Sequence, residues 1–345
     1  MKAARLYAAK DLRVEEIVPP RAPAPGWVRL KVTAAGICGS DLHNYQTGQW
    51  ISRSPSVAGH EFAGIVTELG KDVLDIAVGD TVVADSRFWC GECPACRSGR
   101  HNVCLNLGFV GEICDGGFAE ETVLPARLLV RHEPVLDAAV AAMAEPLAVA
   151  LHAVRKQAAP AGQPVLVAGC GPIGGLAALL LSRLHQGPLL VSDRNAARAE
   201  LVAQVTGAKV VPLDAASIGM QPVRYAVDAT GNIGVLDTLL GLLSGGGSIA
   251  LVGITHGRIE LDPNVLVEKE IGLLGCHAFG DELPEAVAML PGLAPALKQL
   301  IDREISVDDI PAAYERLLAG DAKGLKTIIR FDAGKRQAAQ EGPAP

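Results

Sequence analysis

The densest group of chemically active residues is a run of cysteines. Cys90, Cys93, Cys96 and Cys104 follow the spacing C-x2-C-x2-C-x7-C in CGECPACRSGRHNVC. Four thiolates on one short loop suit a closed tetrahedral zinc site, which leaves no open position for chemistry and braces the loop. The alternatives are an iron–sulfur cluster, redox-active cysteine pairs and a zinc ribbon that binds nucleic acid. Zinc with a structural role is the expectation.

A second set of potential metal ligands lies in GICGSDLH (36–43) and AGHEFAG (58–64), and it comprises Cys38, His60 and Glu61. A thiolate, an imidazole and a carboxylate brought together would bind zinc and leave a position for water or substrate. Glu145, between apolar flanks in AEPLAVALHA, is a further candidate because a carboxylate there needs a partner. Each residue also has a purely structural interpretation, as a buried thiol, a turn histidine, a solvated charge or a charge at a helix N-terminus.

A glycine-rich turn indicates a nucleotide site. VLVAGCGPIG carries G-x-G-x-x-G as Gly169, Gly171 and Gly174, after an apolar strand and at the start of a helix. These glycines would permit the turn, the approach of a pyrophosphate and close helix–strand packing. Asp193 ends the next strand and would bind the adenosine ribose, which favours NAD over NADP, although two arginines that follow it could receive a 2′-phosphate. The alternative is a plain glycine turn in a βαβ unit.

The elements that position these residues change along the chain. Short β-type runs, such as Trp27–Gly36, Phe62–Gly70 and Asp80–Phe88, fill the first 140 or so residues. From Pro164 onward, apolar runs alternate with helical segments, which is the pattern of a doubly wound parallel sheet. Between these two regions lies an Ala-rich helical stretch, in which Pro146 is expected to start a new helix.

The last part of the chain combines helix and strand patterns. A helix is expected over Pro284–Asp302, followed by a strand in KTIIRF and a frayed polar tail from Asp332.

Composition excludes several classes of function. A chain of 345 residues exceeds the usual size of one hydrophobic core, so two domains are expected. The net charge of −7 gives no basic footprint for nucleic acid. No uninterrupted apolar stretch approaches the roughly 20 residues of a membrane span, and the charged N-terminus is unlike a signal peptide. We therefore expect a cytoplasmic protein without nucleic-acid or membrane partners.

Six motifs in one order resemble a known family: GICGSDLH, GHEFAG, the cysteine loop, DGGFAEE, AEPLAVALHA and AGCGPIG. The chain resembles the zinc-containing medium-chain dehydrogenases over residues 1 to about 332, and within them the polyol branch of sorbitol, xylitol and L-idonate dehydrogenases. The resemblance implies an α/β protein. A β-rich GroES-like catalytic domain would cover 1–150 and 276–345, a Rossmann dinucleotide-binding domain 151–275, and the active site the cleft between them.

The same resemblance implies a role for each site residue. Cys38, His60 and Glu61 would hold a catalytic zinc, which Glu145 would bind directly or through its water. Ser40 would take the proton of the alcohol and His43 would relay it to solvent. The positions lining NAD would be Gly169, Gly171, Ile173, Gly174, Asp193, Arg198, Val252, Gly253 and Ile254. The four-cysteine loop would hold the second, structural zinc.

The function expected from this set is zinc-dependent hydride transfer between NAD and a secondary alcohol of a polyol or sugar acid. Two departures leave the substrate open, because Asn44 and Ala278 stand where sorbitol-type members carry Tyr and Arg. The alternatives are a dehydrogenase of simple secondary alcohols and a non-catalytic NAD-binding protein. The complete ligand and relay set argues against the latter and against a zinc-free quinone-reductase relative. The resemblance also implies a homotetramer or dimer.

Overall fold

The computed structural model describes residues 1–218, 222–255 and 257–331. Its strands, in chain order, are β1 (Lys2–Ala8), β2 (Asp11–Glu16), β3 (Trp27–Gly36), β4 (Ser56–Val57), β5 (Glu61–Leu69), β6 (Thr81–Ala84), β7 (Arg87–Phe88), β8 (Gly108–Phe109), β9 (Glu121–Pro125), β10 (Leu129–Arg131), β11 (Val165–Ala168), β12 (Leu189–Ser192), β13 (Lys209–Val210), β14 (Tyr225–Asp228), β15 (Ser248–Leu251), β16 (Gly272–Gly275), β17 (Ile301–Ile305) and β18 (Lys326–Arg330). The polar tail expected from Asp332 lies outside the described residues.

The α-helices are α1 (Gly39–Thr47), α2 (Pro94–Arg97), α3 (Ala138–Ala141), α4 (Ala144–Gln157), α5 (Pro172–Leu184), α6 (Ala196–Thr206), α7 (Ala215–Ile218), α8 (Ile233–Leu242), α9 (Pro263–Lys269), α10 (Leu283–Leu300) and α11 (Ile310–Leu318). Pro146 does not begin a helix, because α4 starts two residues earlier. It lies in the first turn, where its missing N–H has no intrahelical partner to lose.

The chain divides into two compact units. The first unit comprises Met1–Glu145, Leu283–Ala322 and 326–331, and the second comprises Pro146–Glu282 and Lys323–Leu325. The second unit is therefore an insertion in the first, and the division falls inside α4.

The first unit is built on β-sheet. Its main sheet has the order β10-β6-β5-β3-β18-β17, with β9 also pairing with β3, and a smaller sheet has the order β2-β1-β4. Phe62, Phe118 and Tyr314 are among the fully buried side chains of its core. One expected run, Asp80–Phe88, is broken into β6 and β7, because Asp85 Oδ1 accepts the backbone N–H of Arg87 (2.9 Å) and turns the chain.

The second unit contains the expected parallel sheet. Its six strands follow the order β13-β12-β11-β14-β15-β16, and every neighbouring pair is parallel. Strand β11 is completely buried, as expected for a strand covered on both faces. The predicted α/β class, with a β-rich unit and a doubly wound unit, is confirmed.

One helical run passes a membrane-span test by length and composition. Ala138–Gln157 has a mean hydropathy of 1.3 in its most apolar window, and 72% of that window is buried inside the structure. A helical run buried to this extent belongs to the core of the protein.

Candidate catalytic and cofactor sites

The strands of the first unit bring Cys38, His60 and Glu61 together. Cys38 is the N-cap of α1, directly beyond the end of β3, and His60 precedes β5, which Glu61 opens. The antiparallel register of β3 and β5 pairs Gly36 with Glu61. One sulfur, one nitrogen and one oxygen donor lie within 4.8 Å of one another. This mixed donor set, with fewer than four ligands, fits a zinc site that keeps an open position.

A buried ion pair fixes Glu61. Both side chains are almost completely shielded from solvent, and Lys326 Nζ lies 2.7 and 2.6 Å from the two carboxylate oxygens of Glu61. The same ammonium donates to the carbonyl of Ile37 (3.2 Å), which completes its three hydrogen bonds. A Cβ at Gly36 would overlap a carboxylate oxygen of Glu61, so the pair requires glycine at that position.

Anionic groups surround His60. Asp41 Oδ1 lies 3.4 Å from His60 Nδ1, and Asp41 Oδ2 accepts the backbone N–H of Cys38 (2.8 Å). Burial opposes a charged ring, but Asp41 and Cys38 outweigh it and raise the pKa of His60 well above its usual range. The cluster thus favours positive charge, which a metal ion would supply.

Glu145 lies beside this cluster and is buried. Its Oε1 accepts a hydrogen bond from the hydroxyl of Ser86 (2.5 Å). Burial, opposed by His60 and reinforced by Glu61, raises the pKa of Glu145 to about 7. Among the described residues, the group within ligand distance comprises Cys38, His60 and Glu61, so Glu145 is an additional carboxylate next to it.

The two residues expected to move protons have different neighbours. Ser40 Oγ lies 3.5 Å from His60 Nε2, at the edge of the metal cluster. His43 Nε2 lies 2.9 Å from Gln49 Oε1 and 3.3 Å from Thr47 Oγ1. Ser40 therefore borders the candidate metal site, and His43 lies one helical turn further along α1.

The four cysteines converge within the first unit. Their sulfurs lie within 4.8 Å of one another, with separations of 3.5 Å (Cys90–Cys104), 3.9 Å (Cys93–Cys104) and 4.0 Å (Cys90–Cys96). Tetrahedral zinc with Zn–S bonds of about 2.3 Å requires sulfurs about 3.8 Å apart, so the cluster fits. The N–H of Cys96 lowers the pKa of Cys93 to about 6, which favours the thiolate, whereas burial raises that of Cys96.

The glycine turn between β11 and α5 has the shape of a phosphate cradle. Gly169 has a φ of +90°, a conformation that favours glycine. A Cβ at Gly174 would overlap the carbonyl oxygen of Gly169, whereas one at Gly171 would meet nothing within 4 Å. Gly171 is the N-cap of α5 and leaves open space at the positive end of the helix. A pyrophosphate fits this turn.

The remaining cofactor candidates lie beyond the carboxyl ends of strands β11, β12 and β15 of the parallel sheet. Asp193 follows β12 and accepts the backbone N–H groups of Cys170 (2.6 Å) and Asn195 (2.7 Å). Arg198 has a buried Nε without a hydrogen-bond partner among the described residues. Ile173 lies in the first turn of α5, and Val252, Gly253 and Ile254 directly follow β15.

Several residues that interact with His60, Glu61 or Glu145 were not among the site residues predicted from the sequence. Lys326, Asp41, Ser86 and Glu112 each interact with one of these three. Asp41 lies inside a quoted motif, and its place three residues after Cys38 is a recognisable capping position. Lys326 and Ser86 carry no local signal, because their partners are far away in sequence.

The comparisons with known proteins agree with this architecture. Residues 24–134 match the family described as "Alcohol dehydrogenase GroES-like domain", and residues 172–291 match "Zinc-binding dehydrogenase". The chain is 31% identical to L-galactonate-5-dehydrogenase of Escherichia coli (strain K12), over 90% of this chain and 94% of that protein. It is 27% identical to sorbitol dehydrogenase of Bacillus subtilis (strain 168), over 95% and 97%.

A solved structure is similarly close. A zinc-binding dehydrogenase from Sinorhizobium meliloti 1021, bound to NADP, superposes with a TM-score of 0.88 at 30% identity, covering 95% of this chain and 98% of that one. The metal-ligand cluster, the cysteine loop and the dinucleotide turn occur on the two units that these families describe. The chain belongs to the zinc-containing medium-chain dehydrogenase family, in its polyol branch, and is an oxidoreductase.

Proposed function

We propose that this protein is an NAD- and zinc-dependent dehydrogenase that interconverts a secondary alcohol of a polyol or sugar acid with the corresponding ketone. The observation that carries the proposal is the convergence of Cys38, His60 and Glu61 donors within 4.8 Å, with Ser40 at their edge. A cytoplasmic location and assembly as a homotetramer or dimer stay predictions from the resemblance.

Cys38, His60 and Glu61 would hold the catalytic zinc, with Glu145 bound directly or through water, and the four cysteines would hold a structural zinc. Zinc at the first site supplies a Lewis acid that eases deprotonation of an alcohol, and the nicotinamide supplies the hydride acceptor. Ser40 Oγ accepts the proton of the alcohol, and His43 passes it to solvent. Lys326 and Ser86 hold the two carboxylates in position.

NAD is the proposed cofactor. The carboxylate of Asp193 retains acceptor capacity beyond its two backbone hydrogen bonds and would bind ribose hydroxyls. Its negative charge would repel a 2′-phosphate. The NADP bound by the relative from Sinorhizobium meliloti makes a direct comparison of the two cofactors necessary.

Simple secondary alcohols are the second candidate substrates. Asn44 is buried, and its Oδ1 accepts the backbone N–H of Trp50 (2.9 Å), so this oxygen is already engaged. The names of the galactonate and sorbitol relatives favour a polyhydroxy substrate.

The deciding experiment measures initial rates of NADH formation with sorbitol, xylitol, ribitol, L-idonate, galactitol and simple secondary alcohols. We expect one polyol or sugar acid to be strongly preferred. Cys38→Ser should abolish turnover and leave NAD affinity nearly unchanged. Cys114→Ser, at a cysteine outside both clusters, is the control and should keep full activity. Equal activity of the Cys38→Ser variant would contradict the zinc mechanism, and activity on simple alcohols alone would select the second candidate.

A further inference from the structure

Segment 276–282, which joins β16 to α10, is tied to helix α4 at both of its ends. At its end, His152 Nδ1 lies 2.9 Å from Glu282 Oε1. At its start, Lys156 Nζ, one helical turn after His152, donates to the carbonyl of Gly275 (2.6 Å). All four residues belong to the second unit. Two side chains on one face of α4 therefore hold the segment in place.

Glu282 is a buried carboxylate whose hydrogen bonds fix the end of the segment. Its Oε2 accepts the backbone N–H of Gly280 (2.5 Å), and its Oε1 contacts His152. Burial opposes the charge of this carboxyl group, but the hydrogen bonds from His152 and Gly280 outweigh burial and lower the pKa of Glu282. Because an ionised carboxylate only accepts hydrogen bonds, Nδ1 of His152 is the donor in this pair.

The middle of segment 276–282 has a backbone conformation that needs support. Ala278 has a φ of +48°, in the left-handed region that residues with a side chain rarely adopt. Its neighbour Phe279 is completely buried. A backbone of this kind persists only where the surrounding structure fixes it. The contacts of Glu282 with Gly280 and His152 lie within four residues of Ala278, so they are part of that support.

Segment 276–282 lies at the edge of the parallel sheet that carries the cofactor candidates. All neighbouring strands of this sheet are parallel, so the turns beyond their carboxyl ends share one edge, where ligands of such sheets bind. The N–H of Cys276 donates to the carbonyl of Leu251 (2.8 Å), the last residue of β15. The segment therefore begins beside residues 252–254, which are candidates for lining NAD.

We propose that His152 is a positioning residue for the cofactor, which acts through Glu282 by holding segment 276–282 in the conformation that NAD binding requires. The proposal rests on the NAD-binding function proposed above. His152 Nε2 is buried and has no hydrogen-bond partner in the described part of the chain, so the effect is carried by Nδ1. A segment that is fixed in advance lowers the entropic cost of binding, because less of the chain is ordered when the cofactor arrives.

Substitutions of His152 in the full-length protein separate the donor at Nδ1 from the rest of the ring. His152→Asn keeps an N–H donor close to the position of Nδ1 and loses Nε2, whereas His152→Leu is apolar and keeps no donor. His185→Leu is the matched control. His185 is a histidine of the same unit, its Nε2 lies 2.8 Å from the carbonyl oxygen of Gln163, and it lies between α5 and the amino end of β12, away from the cofactor edge.

Two measurements follow the cofactor and the segment separately. A fluorescence titration gives the Kd for NADH, and amide hydrogen exchange read by mass spectrometry reports the opening of segment 276–282 without cofactor. We expect His152→Leu to raise the Kd about tenfold and to speed exchange in the segment, because a hydrogen bond to a buried charge is lost. His152→Asn should stay within about threefold of the wild type in both, since its amide replaces the donor.

A double variant keeps the proposal testable if His152→Leu does not fold. His152→Leu with Glu282→Leu leaves no unpaired buried charge, and apolar replacement of both partners is often nearly neutral for stability. Because it also removes the restraint on segment 276–282, we expect it to bind NADH as weakly as His152→Leu and to exchange as fast. A double variant that binds NADH as tightly as the wild type would overturn the positioning role.

The outcomes separate this role from the function on which it rests. A wild-type protein that binds no NADH would overturn the proposed NAD site and the positioning role with it. A wild type that binds NADH, with a Kd in His152→Leu equal to that in His185→Leu, would overturn the positioning role alone. Equal losses in the Asn and Leu variants of His152 would also overturn it, because they would show that the bond from Nδ1 to Glu282 is not what matters.

Discussion

Lys326 supplies a counter-charge to a carboxylate that solvent cannot reach. Glu61 is completely buried, and an isolated charge there would cost several kcal/mol. The ammonium of Lys326 contacts both of its oxygens, and Gly36 provides the room for this contact. Lys326 therefore balances part of the charge of Glu61, and Lys326 and the proposed zinc would share this one carboxylate.

Replacing Lys326 separates these two roles. Lys326→Met leaves Glu61 buried and unpaired, so the zinc-free protein should lose about 3–5 kcal/mol of its free energy of unfolding. Added zinc should stabilise this variant more than the wild type, because the metal becomes the main cation near Glu61. Urea unfolding with and without zinc measures both effects. Lys298→Met, at an exposed ion pair with Asp137 (3.6 Å), should cost less than about 1 kcal/mol. An equal zinc effect in wild type and Lys326→Met would contradict this account.

We expect the preference for NAD over NADP to depend on the charge of Asp193. Asp193→Asn removes the negative charge and keeps one of the two oxygens that accept the backbone N–H groups of Cys170 and Asn195. The ratio of kcat/KM with NADP to kcat/KM with NAD should rise about tenfold, a difference of about 1.4 kcal/mol. Steady-state rates with both cofactors measure it, and Asp237→Asn at an exposed site on α8 is the control. A ratio that does not move would show that this charge does not discriminate between the cofactors.

At the scale of elements, two glycines in the turn between β11 and α5 have different roles. Gly174 is required by the packing of the turn itself, because a side chain there would overlap the carbonyl of Gly169. Gly171 faces open space and has an ordinary negative φ of −73°, so the fold places no demand on it. Any need for glycine at position 171 must therefore come from a ligand.

Alanine substitutions test this distinction. Gly174→Ala should lower both the free energy of unfolding and the affinity for NAD. Gly171→Ala should change the free energy of unfolding by less than about 0.5 kcal/mol and weaken NAD binding about tenfold or more, since its methyl group would meet the pyrophosphate. Thermal unfolding and a fluorescence titration with NADH provide the two measurements. Normal NADH affinity in Gly171→Ala would place the pyrophosphate elsewhere.

Elements with a local signature were predictable from the sequence. The inner strands β11 and β12 of the parallel sheet are covered on both faces, so they are recognisable as apolar runs, and α6 ends at Gly207 as a left-handed C-cap should. The break between β6 and β7 was missed, because it depends on a backbone hydrogen bond that the Asp85 carboxylate accepts.

Only part of the candidate metal cluster was predictable from the sequence. Cys38, His60 and Glu61 lie in short motifs, whereas Ser86 and Lys326 meet their partners across 59 and 265 residues. No periodicity or spacing encodes such long-range pairs. Glu112 lies in no quoted motif, and only the structure shows its interaction with His60.

At the scale of the whole molecule, one unit is inserted into the other. The boundaries that the resemblance implies fall after residues 150 and 275, whereas the compact units divide after Glu145 and after Glu282. The difference at the first boundary arises because α4 runs continuously from Ala144 to Gln157 and carries residues of both units. The composition of a continuous helix does not show where along it two compact units divide.

The position of β18 has a consequence for the order of events during protein synthesis. This strand lies between β3 and β17 in the main sheet of the first unit, and it is the last strand of the described chain to leave the ribosome. The inserted unit is almost complete by Glu282, so it can fold while β3 still has an open edge. Only when Lys326 emerges does Glu61 gain its counter-charge. A nascent chain can therefore form its nucleotide-binding fold before the ion pair that holds Glu61 at the proposed metal site.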